Sequence, residues 1–314
     1  MLARFRLLSF FVLGAAASAS SAEVRPWPLP AAEGAAQPQL VRHEDALLLS
    51  WIEPLEGGHR MRYAREHEGA FDAPIEVARG PRWFVNWADV PAVHPLQGDA
   101  LVAFVLVRSG EAPYAYDVHV TNSDDGRDWS PLRRLHDDET LTEHGFASLW
   151  RESDGGFGIA WLDGRRTDAA GAGHDSHGGG AMSLRAARLH SDGLRSEVEI
   201  DARTCDCCPT AVASSAHGPV LVYRDRDEKE IRDIAFTRLR DDVWSRPEAV
   251  HHDGWVMPAC PVNGPSVAAD GDDVYVAWYT AADDTPRLKL AHSDDDARHF
   301  EPPILIAENN VIGR

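Results

Sequence analysis

Cysteine is scarce in this chain, 4 residues in 314, and three of them crowd into one short stretch. That excludes the disulfide lattice by which small exported domains compensate for a thin core. Basic residues are also few, 31 Lys and Arg against 50 Asp and Glu, for a formal net charge of -19. Such a balance excludes nucleic acid and anionic membranes as partners, although a few arginines can still dominate a local pocket. Beyond the first two dozen residues no apolar run is long enough to cross a bilayer, so no membrane insertion is expected. Helix-period stretches of useful length are missing as well.

What is present begins with a leader pattern. Met1 to Arg6 is short and basic, Leu7 to Ala17 is apolar, and Ser20-Ser21-Ala22 supplies the small residues a signal peptidase needs. Residues 1–22 therefore read as a signal peptide cleaved near Ala22, placing the mature chain in the periplasm or outside the cell.

From residue 23 to 314 the chain alternates β-type runs with Gly, Asp and Pro turns. The runs Leu47 to Ile52, Leu101 to Val107, Gly158 to Leu162, Val220 to Tyr223 and Val274 to Tyr279 each carry a large ring: Trp51, Phe104, Trp161, Tyr223 and Trp278. These rings recur every 53 to 62 residues or so, a period suited to one four-stranded propeller blade. About 11 residues upstream of each ring lies another run, near Leu40, Val93, Leu149, Val212 and Val267. A third run and an acidic turn follow, and then a fourth run that often begins with Pro, as an outermost strand tolerates. The expected fold is an all-β propeller of four-stranded blades in one domain, with blades near 37–80, 86–137, 144–201, 206–252 and 260–308.

The acidic turns have a recognisable form. Asn122-Ser123-Asp124-Asp125-Gly126-Arg127-Asp128-Trp129 is one copy, and Ser293-Asp294-Asp295-Asp296-Ala297-Arg298-His299-Phe300 is another, with Ala297 in the glycine position. Asp side chains can fold back onto backbone amides there while the aromatic tucks under the sheet. These turns resemble the Asp box of the sialidase (BNR-repeat) superfamily. The segments Thr142-Glu143-His144-Gly145-Phe146, Trp161-Leu162-Asp163-Gly164-Arg165, Cys205-Asp206-Cys207-Cys208-Pro209-Thr210 and Cys260-Pro261-Val262-Asn263-Gly264-Pro265 further resemble bacterial exported proteins labelled sialidase-like or exo-α-sialidase. Members of that superfamily usually have six blades, so the resemblance implies either a five-bladed closure or a last blade, carried by relatives, that this chain lacks.

In a propeller the loops before the inner strands open beside the central pocket, and here they hold the unusual residues. Trp83 to Asp89 precedes the second repeat, with Asn86 and Trp87 as substrate-contacting candidates; Asn263 precedes the fifth. Sialidases share an arginine triad that clamps the substrate carboxylate, an Asp acid/base, and a Tyr nucleophile activated by a Glu. The resemblance implies a triad drawn from Arg82, Arg165, Arg224 and Arg232, a proton donor in Asp89 or Asp163, Glu143 as carboxylate partner, and Tyr223 or Tyr279 as nucleophile. Arg25-Pro26-Trp27-Pro28 departs from the family's Arg-Ile-Pro motif.

Cys205, Cys207, Cys208 and Cys260 admit two readings. In an exported protein they suggest disulfides, one of them a strained vicinal ring if Cys207 and Cys208 pair. Alternatively they form a thiolate site for copper or zinc, assisted by His144, His174 or His177. Two functional expectations follow: an exo-glycosidase of sialidase type acting on terminal anionic sugars, or a non-hydrolytic propeller that holds a soft metal ion. A glycan- or protein-binding propeller stapled by disulfides is the third.

Overall fold

The computed structural model describes residues 26–152, 154–167, 180–190 and 193–312. The leader at 1–22 and the two histidines His174 and His177 lie outside them. The described chain is all-β apart from one 3-10 turn at Ala282–Asp284, and it forms five antiparallel sheets, each from one contiguous stretch.

The first sheet contains β1 (Ala36–His43), β2 (Ala46–Leu55), β3 (Gly58–His67), β4 (Ala70–Phe71) and β5 (Ile75–Gly80), the last two both pairing with β3. In the second, β6 (Ala92–Pro95), β7 (Leu101–Arg108), β8 (Tyr116–Ser123) and β9 (Arg133–Arg134) lie side by side in chain order. The third repeats that order with β10 (His144–Arg151), β11 (Phe157–Asp163), β12 (Ser183–His190) and β13 (Gly193–Asp201). The fourth has β14 (Ala211–Ser215), β15 (Gly218–Arg224), β16 (Ile234–Arg240), β17 (Val243–Trp244) and β18 (Glu248–Ala249). The fifth has β19 (Ser266–Asp270), β20 (Asp273–Thr280), β21 (Arg287–Ser293) and β22 (Ile304–Glu308).

The core lies between sheets. One apolar layer joins the first and second through Ile52, Met61, Val93 and Val105. Phe104, Val118, Ile159 and Trp161 join the second and third; Leu162, Leu184, Leu221 and Tyr223 the third and fourth; Val222, Phe236, Val276 and Trp278 the fourth and fifth. A sheet covered on both faces needs central strands apolar on both sides, and β7 and β11 are accordingly continuous apolar runs. The ring predicted at the centre of each repeat is buried in all five. Full burial of one such side chain contributes about 1.5–3 kcal/mol. In contrast, β20 alternates buried with open positions, and Tyr275, Ile304, Leu305 and Ile306 on the fifth sheet and Leu40 on the first are exposed.

The acidic turns clasp neighbouring sheets. In the first, Asp125 Oδ1 accepts from the amides of Arg127 and Asp128 and from the Ser123 hydroxyl. Gly126 sits at φ +69°, and its carbonyl accepts from the Tyr63 hydroxyl of the first sheet at 2.6 Å. Trp129 packs edge-on against that same Tyr63 ring. The second copy repeats the bonding: Asp295 Oδ1 accepts from the amides of Arg298 and His299 and from Ser293, and Phe300 packs edge-on against Phe236 of the fourth sheet. Ala297 takes the left-handed conformation that Gly126 takes in the first copy.

The first strands of all five sheets, β1, β6, β10, β14 and β19, surround one cavity of about 780 Å³. This is the arrangement of a β-propeller, with the inner strands around an axis. Among the described residues no helix is long and apolar enough to cross a membrane.

Candidate functional site

The loops entering β6 and β10 meet at one end of the cavity. Asn86 Oδ1 accepts from the amides of Ala88 and Asp89 at 2.5 and 3.3 Å, fixing a tight turn. Gln37 of β1 donates to the carbonyls of Asn86 and Asp89 and ties that turn to the first sheet. Trp87 is thereby left exposed, at 61 %. Asp89 points inward, buried, and lines the cavity. Its Oδ2 accepts from the Phe146 amide at 2.8 Å and faces the Tyr116 hydroxyl at 2.9 Å. Oδ1 has no hydrogen-bond partner among the described residues. Burial raises this carboxyl to about 7, against the opposing pull of the Phe146 and Tyr116 hydrogen bonds. Gly145 is needed at this spot, since a Cβ there would lie 2.1 Å from Asp89 Oδ2 and 2.7 Å from the Tyr116 ring.

The Tyr116 hydroxyl also contacts Glu143 Oε1 at 2.8 Å. A phenol has one proton, so it can donate to only one of its two carboxyl neighbours. With Asp89 protonated, Tyr116 donates to Glu143 and accepts from Asp89 Oδ2, so the phenol and the two carboxyl oxygens that face it are satisfied. Tyr116 is fully buried and stacked 4.1 Å from the Phe84 ring. Tyr116 is the residue that sequence reasoning missed. It is the first residue of β8, which the repeat register marks only as a third strand, and nothing in the local sequence distinguishes its ring from a core aromatic.

Behind this group lies a second polar cluster. Asp117, His136 and His144 bring one ligand atom each to within 4.8 Å of the others, all three buried. His144 Nε2 faces Asp138 at 3.0 Å. Asp163, at the end of β11, accepts from Trp161 Nε1 and, through both carboxylate oxygens, from Arg165. Burial works against its ionisation, but the Arg165 and Trp161 hydrogen bonds outweigh it and hold the carboxyl below its ordinary range. Asp163 is thus an ionised anchor, which corrects the expectation of a proton donor there.

The third cluster is sulfur. Cys205, Cys207 and Cys208 are buried with their sulfurs within 4.8 Å of one another. Cys205 and Cys208 Sγ approach to 2.7 Å, and Cys207 hydrogen-bonds Cys260. The Cys205 and Cys208 sulfurs are thus in contact, and Cys207 reaches both of them as well as Cys260. Arg232 NH1 donates to Cys205 Sγ at 3.3 Å. Burial pushes the Cys205 thiol up, but hydrogen bonds from Cys207 and Cys208 and the Arg232 charge bring it well below its usual range. Gly264 lets the Cys260 loop seat on the Cys205 loop, where a Cβ would come 2.2 Å from the Pro209 carbonyl.

No family model matches the chain, and no curated protein matches it. Solved structures do. A protein of unknown function from Dyadobacter fermentans superposes with a TM-score of 0.53 at 16% identity, covering 79% of this chain and 72% of that one. An α-L-arabinofuranosidase of Fusarium graminearum, complexed with arabinobiose, gives 0.52 at 10% identity over 82% and 76%. The α-L-arabinanase of Penicillium chrysogenum, also with arabinobiose, gives 0.51 at 10% over 84% and 77%. At these identities the likeness shows a shared fold. Neither the arabinofuranosidase nor the arabinanase is a sialidase, so the resemblance read from the sequence reaches the propeller, and sialidase type is not shown.

The arginines explain part of that difference. Arg224 donates to the carbonyls of Asn263, Arg232 and Tyr279 at 2.8, 2.6 and 2.8 Å and stacks on Trp255. Arg165 is held by Asp163 and Glu197, and Arg232 by Cys205 and Glu230. Apart from Arg232 Nε, the donors named here bind protein groups, and of the four arginines Arg82 alone is exposed. The expected carboxylate clamp is not assembled from Arg165, Arg224 and Arg232. Of the expected nucleophiles, Tyr223 is buried and donates to Asp201 at 2.5 Å, and Tyr279 packs edge-on against Trp255. Asp89 and Glu143 are brought together through Tyr116; Asn263 seats Arg224 instead of facing the cavity with them; and His144 joins Asp117 and His136, away from the thiols.

Proposed function

We propose that this chain is a glycoside hydrolase that takes a terminal neutral sugar into the central cavity and protonates the leaving oxygen from Asp89. One observation carries the reading: a cavity-lining carboxyl, raised to about 7, with one oxygen unpartnered. A general acid works best with its pKa near the working pH. Asp89 gives its proton to the glycosidic oxygen while a water molecule attacks the anomeric carbon and sheds a proton to solvent; Tyr116 then passes its proton to Asp89 and takes one from Glu143, which is partly exposed and reprotonated from solvent. The neutral-sugar assignment rests on the three arginines that are already bound. Because neighbours of the same fold were solved with arabinobiose, pentofuranosides are the first substrates to try. The test is a panel of 4-nitrophenyl glycosides, α-L-arabinofuranoside and an α-sialoside included. Turnover of a neutral glycoside, lowered about 10²–10⁴-fold by Asp89→Asn, is the expected outcome. No turnover across the panel, or turnover indifferent to Asp89, overturns it.

A second reading has its own observation, the convergence of the buried sulfurs beside Arg232. Soft thiolates select copper(I) or zinc, and Arg232 favours at least one thiolate. Anaerobic copper(I) titration of the reduced protein, compared with Cys205→Ser/Cys208→Ser, tests it. Identical binding by the two proteins removes this reading.

A further inference from the structure

We infer that Asp117, His136 and His144 form a buried binding site for one divalent transition-metal ion, separate from the cysteines and independent of any glycosidase activity. The argument starts from unpaired atoms. His144 Nδ1, Asp117 Oδ1 and both ring nitrogens of His136 are buried and without a hydrogen-bond partner among the described residues. Buried polar atoms are nearly always paired, because each one left bare costs about 1–3 kcal/mol. Four on three touching residues is an excess, and one ion held by His144 Nδ1, Asp117 Oδ1 and one nitrogen of His136 would remove three of them.

The tautomer of His144 sharpens the point. Its Nε2 faces the Asp138 carboxylate at 3.0 Å, and a carboxylate only accepts, so Nε2 carries the proton. Nδ1 in a neutral ring is then a bare lone pair. It is aimed at Asp117 Oδ1, 3.1 Å away, without a hydrogen bond between them. His136 Nε2 stands 3.6 Å from the same oxygen. Two electron-rich atoms, His144 Nδ1 and Asp117 Oδ1, thus face each other with His136 Nε2 beside them, and a metal ion among the three would turn that repulsion into coordination. Separations of this size suit neighbouring ligands around a metal with bonds of about 2.0–2.2 Å.

The surroundings match as well. Asp138 on the far nitrogen of His144 is the carboxylate–histidine–metal arrangement that fixes ring orientation. Asp138 is itself held by the Thr140 hydroxyl at 2.5 Å. On the outer side of Asp117, Arg134 NH1 lies 3.9 Å from Oδ2, leaving Oδ1 to face the histidines. Two imidazoles and one carboxylate suit zinc, and also iron(II), nickel or cobalt. The three ligands come from β8, the segment after β9 and the start of β10, so the ion would tie the second sheet to the third directly behind Tyr116 and Glu143.

The experiment is cobalt(II) titration of the full chain after chelator treatment, followed by visible absorption and metal analysis. The expected result is one equivalent bound with d–d bands characteristic of nitrogen and oxygen ligands and no thiolate charge-transfer band. It should persist in Cys205→Ser/Cys208→Ser and vanish in His136→Ala. Asp138→Asn, which keeps all three ligands, should weaken zinc binding about 10–100-fold. The wild-type spectrum decides the matter even if His136→Ala fails to fold. Absence of stoichiometric cobalt or zinc, a thiolate spectrum alone, or unchanged binding in folded His136→Ala would each overturn the site.

Discussion

Tyr116 and Glu143 pair across an isolated parallel bridge between the second and third sheets, with the Tyr116 amide donating to the Thr142 carbonyl. Successive residues of an extended strand point to opposite sides. One register therefore sets Tyr116 against Glu143 on the side of Asp89, and Asp117 against His144 on the other. The proton relay and the proposed metal site are two faces of a single junction.

The raised carboxyl of Asp89 has a stability signature. Its ordinary value is 3.8 and its folded value about 7, so the folded chain holds this proton more tightly than the unfolded chain. That contribution is complete below pH 3.8 and is lost as pH rises to about 7. Asp89→Asn, neutral throughout, should flatten the decline across that window by about 2–4 kcal/mol. Urea denaturation at pH 5 and pH 8 for both proteins measures it; equal slopes would place the Asp89 proton elsewhere.

On the acid side the tryptophan-bonded carboxylates take over. Glu53 accepts from Trp51, Asp163 from Trp161 and Asp253 from Trp278. Burial opposes ionisation of all three, and their hydrogen bonds and cationic neighbours outweigh it, so each sits below its ordinary value. Their stabilisation is present above pH 4 or so and is lost as pH falls through the lowered values. Trp278→Phe should move acid unfolding to higher pH and cost about 1 kcal/mol at pH 6, read from circular dichroism along a pH titration.

Arg224 should behave as a structural residue. Truncating it to Ala leaves three carbonyls from the fourth and fifth sheets without their donor, at a cost of at least about 3 kcal/mol. Thermal melting should show that loss. A protein of normal stability with a raised KM would instead restore the anionic-substrate expectation.

Tyr63→Phe removes the hydroxyl that reaches from the first sheet to the acidic turn of the second. Since the packing against Trp129 survives, only the hydrogen bond is tested, and a loss of about 1–2 kcal/mol is expected. Hydrogen exchange at residues 124–129 should accelerate with it.

Much of the architecture was legible because it is local and repeated. A ring at the centre of each apolar run, an acidic turn after the third strand and Pro before the fourth are short-range patterns, and β2, β7, β11, β15 and β20 appear where those rings stand. The place of Asp89 beside the cavity was legible too, in a loop that precedes an inner strand. Tyr116, Asp117 and His136 were not, because a strand's own sequence does not say what faces it from the next sheet.

The arginines show the boundary most clearly. By itself the sequence determined the strand order and the aromatic core between sheets, since each follows from period and side-chain chemistry within one repeat. Only the tertiary structure decided that Arg165, Arg224 and Arg232 hold the protein's own groups, that burial raises the Asp89 carboxyl, and that His144 faces Asp117 and not the thiols. Those outcomes depend on burial and on contacts between distant segments. Charge state and hydrogen-bond partner are properties of an environment, and that environment exists only once the sheets have packed.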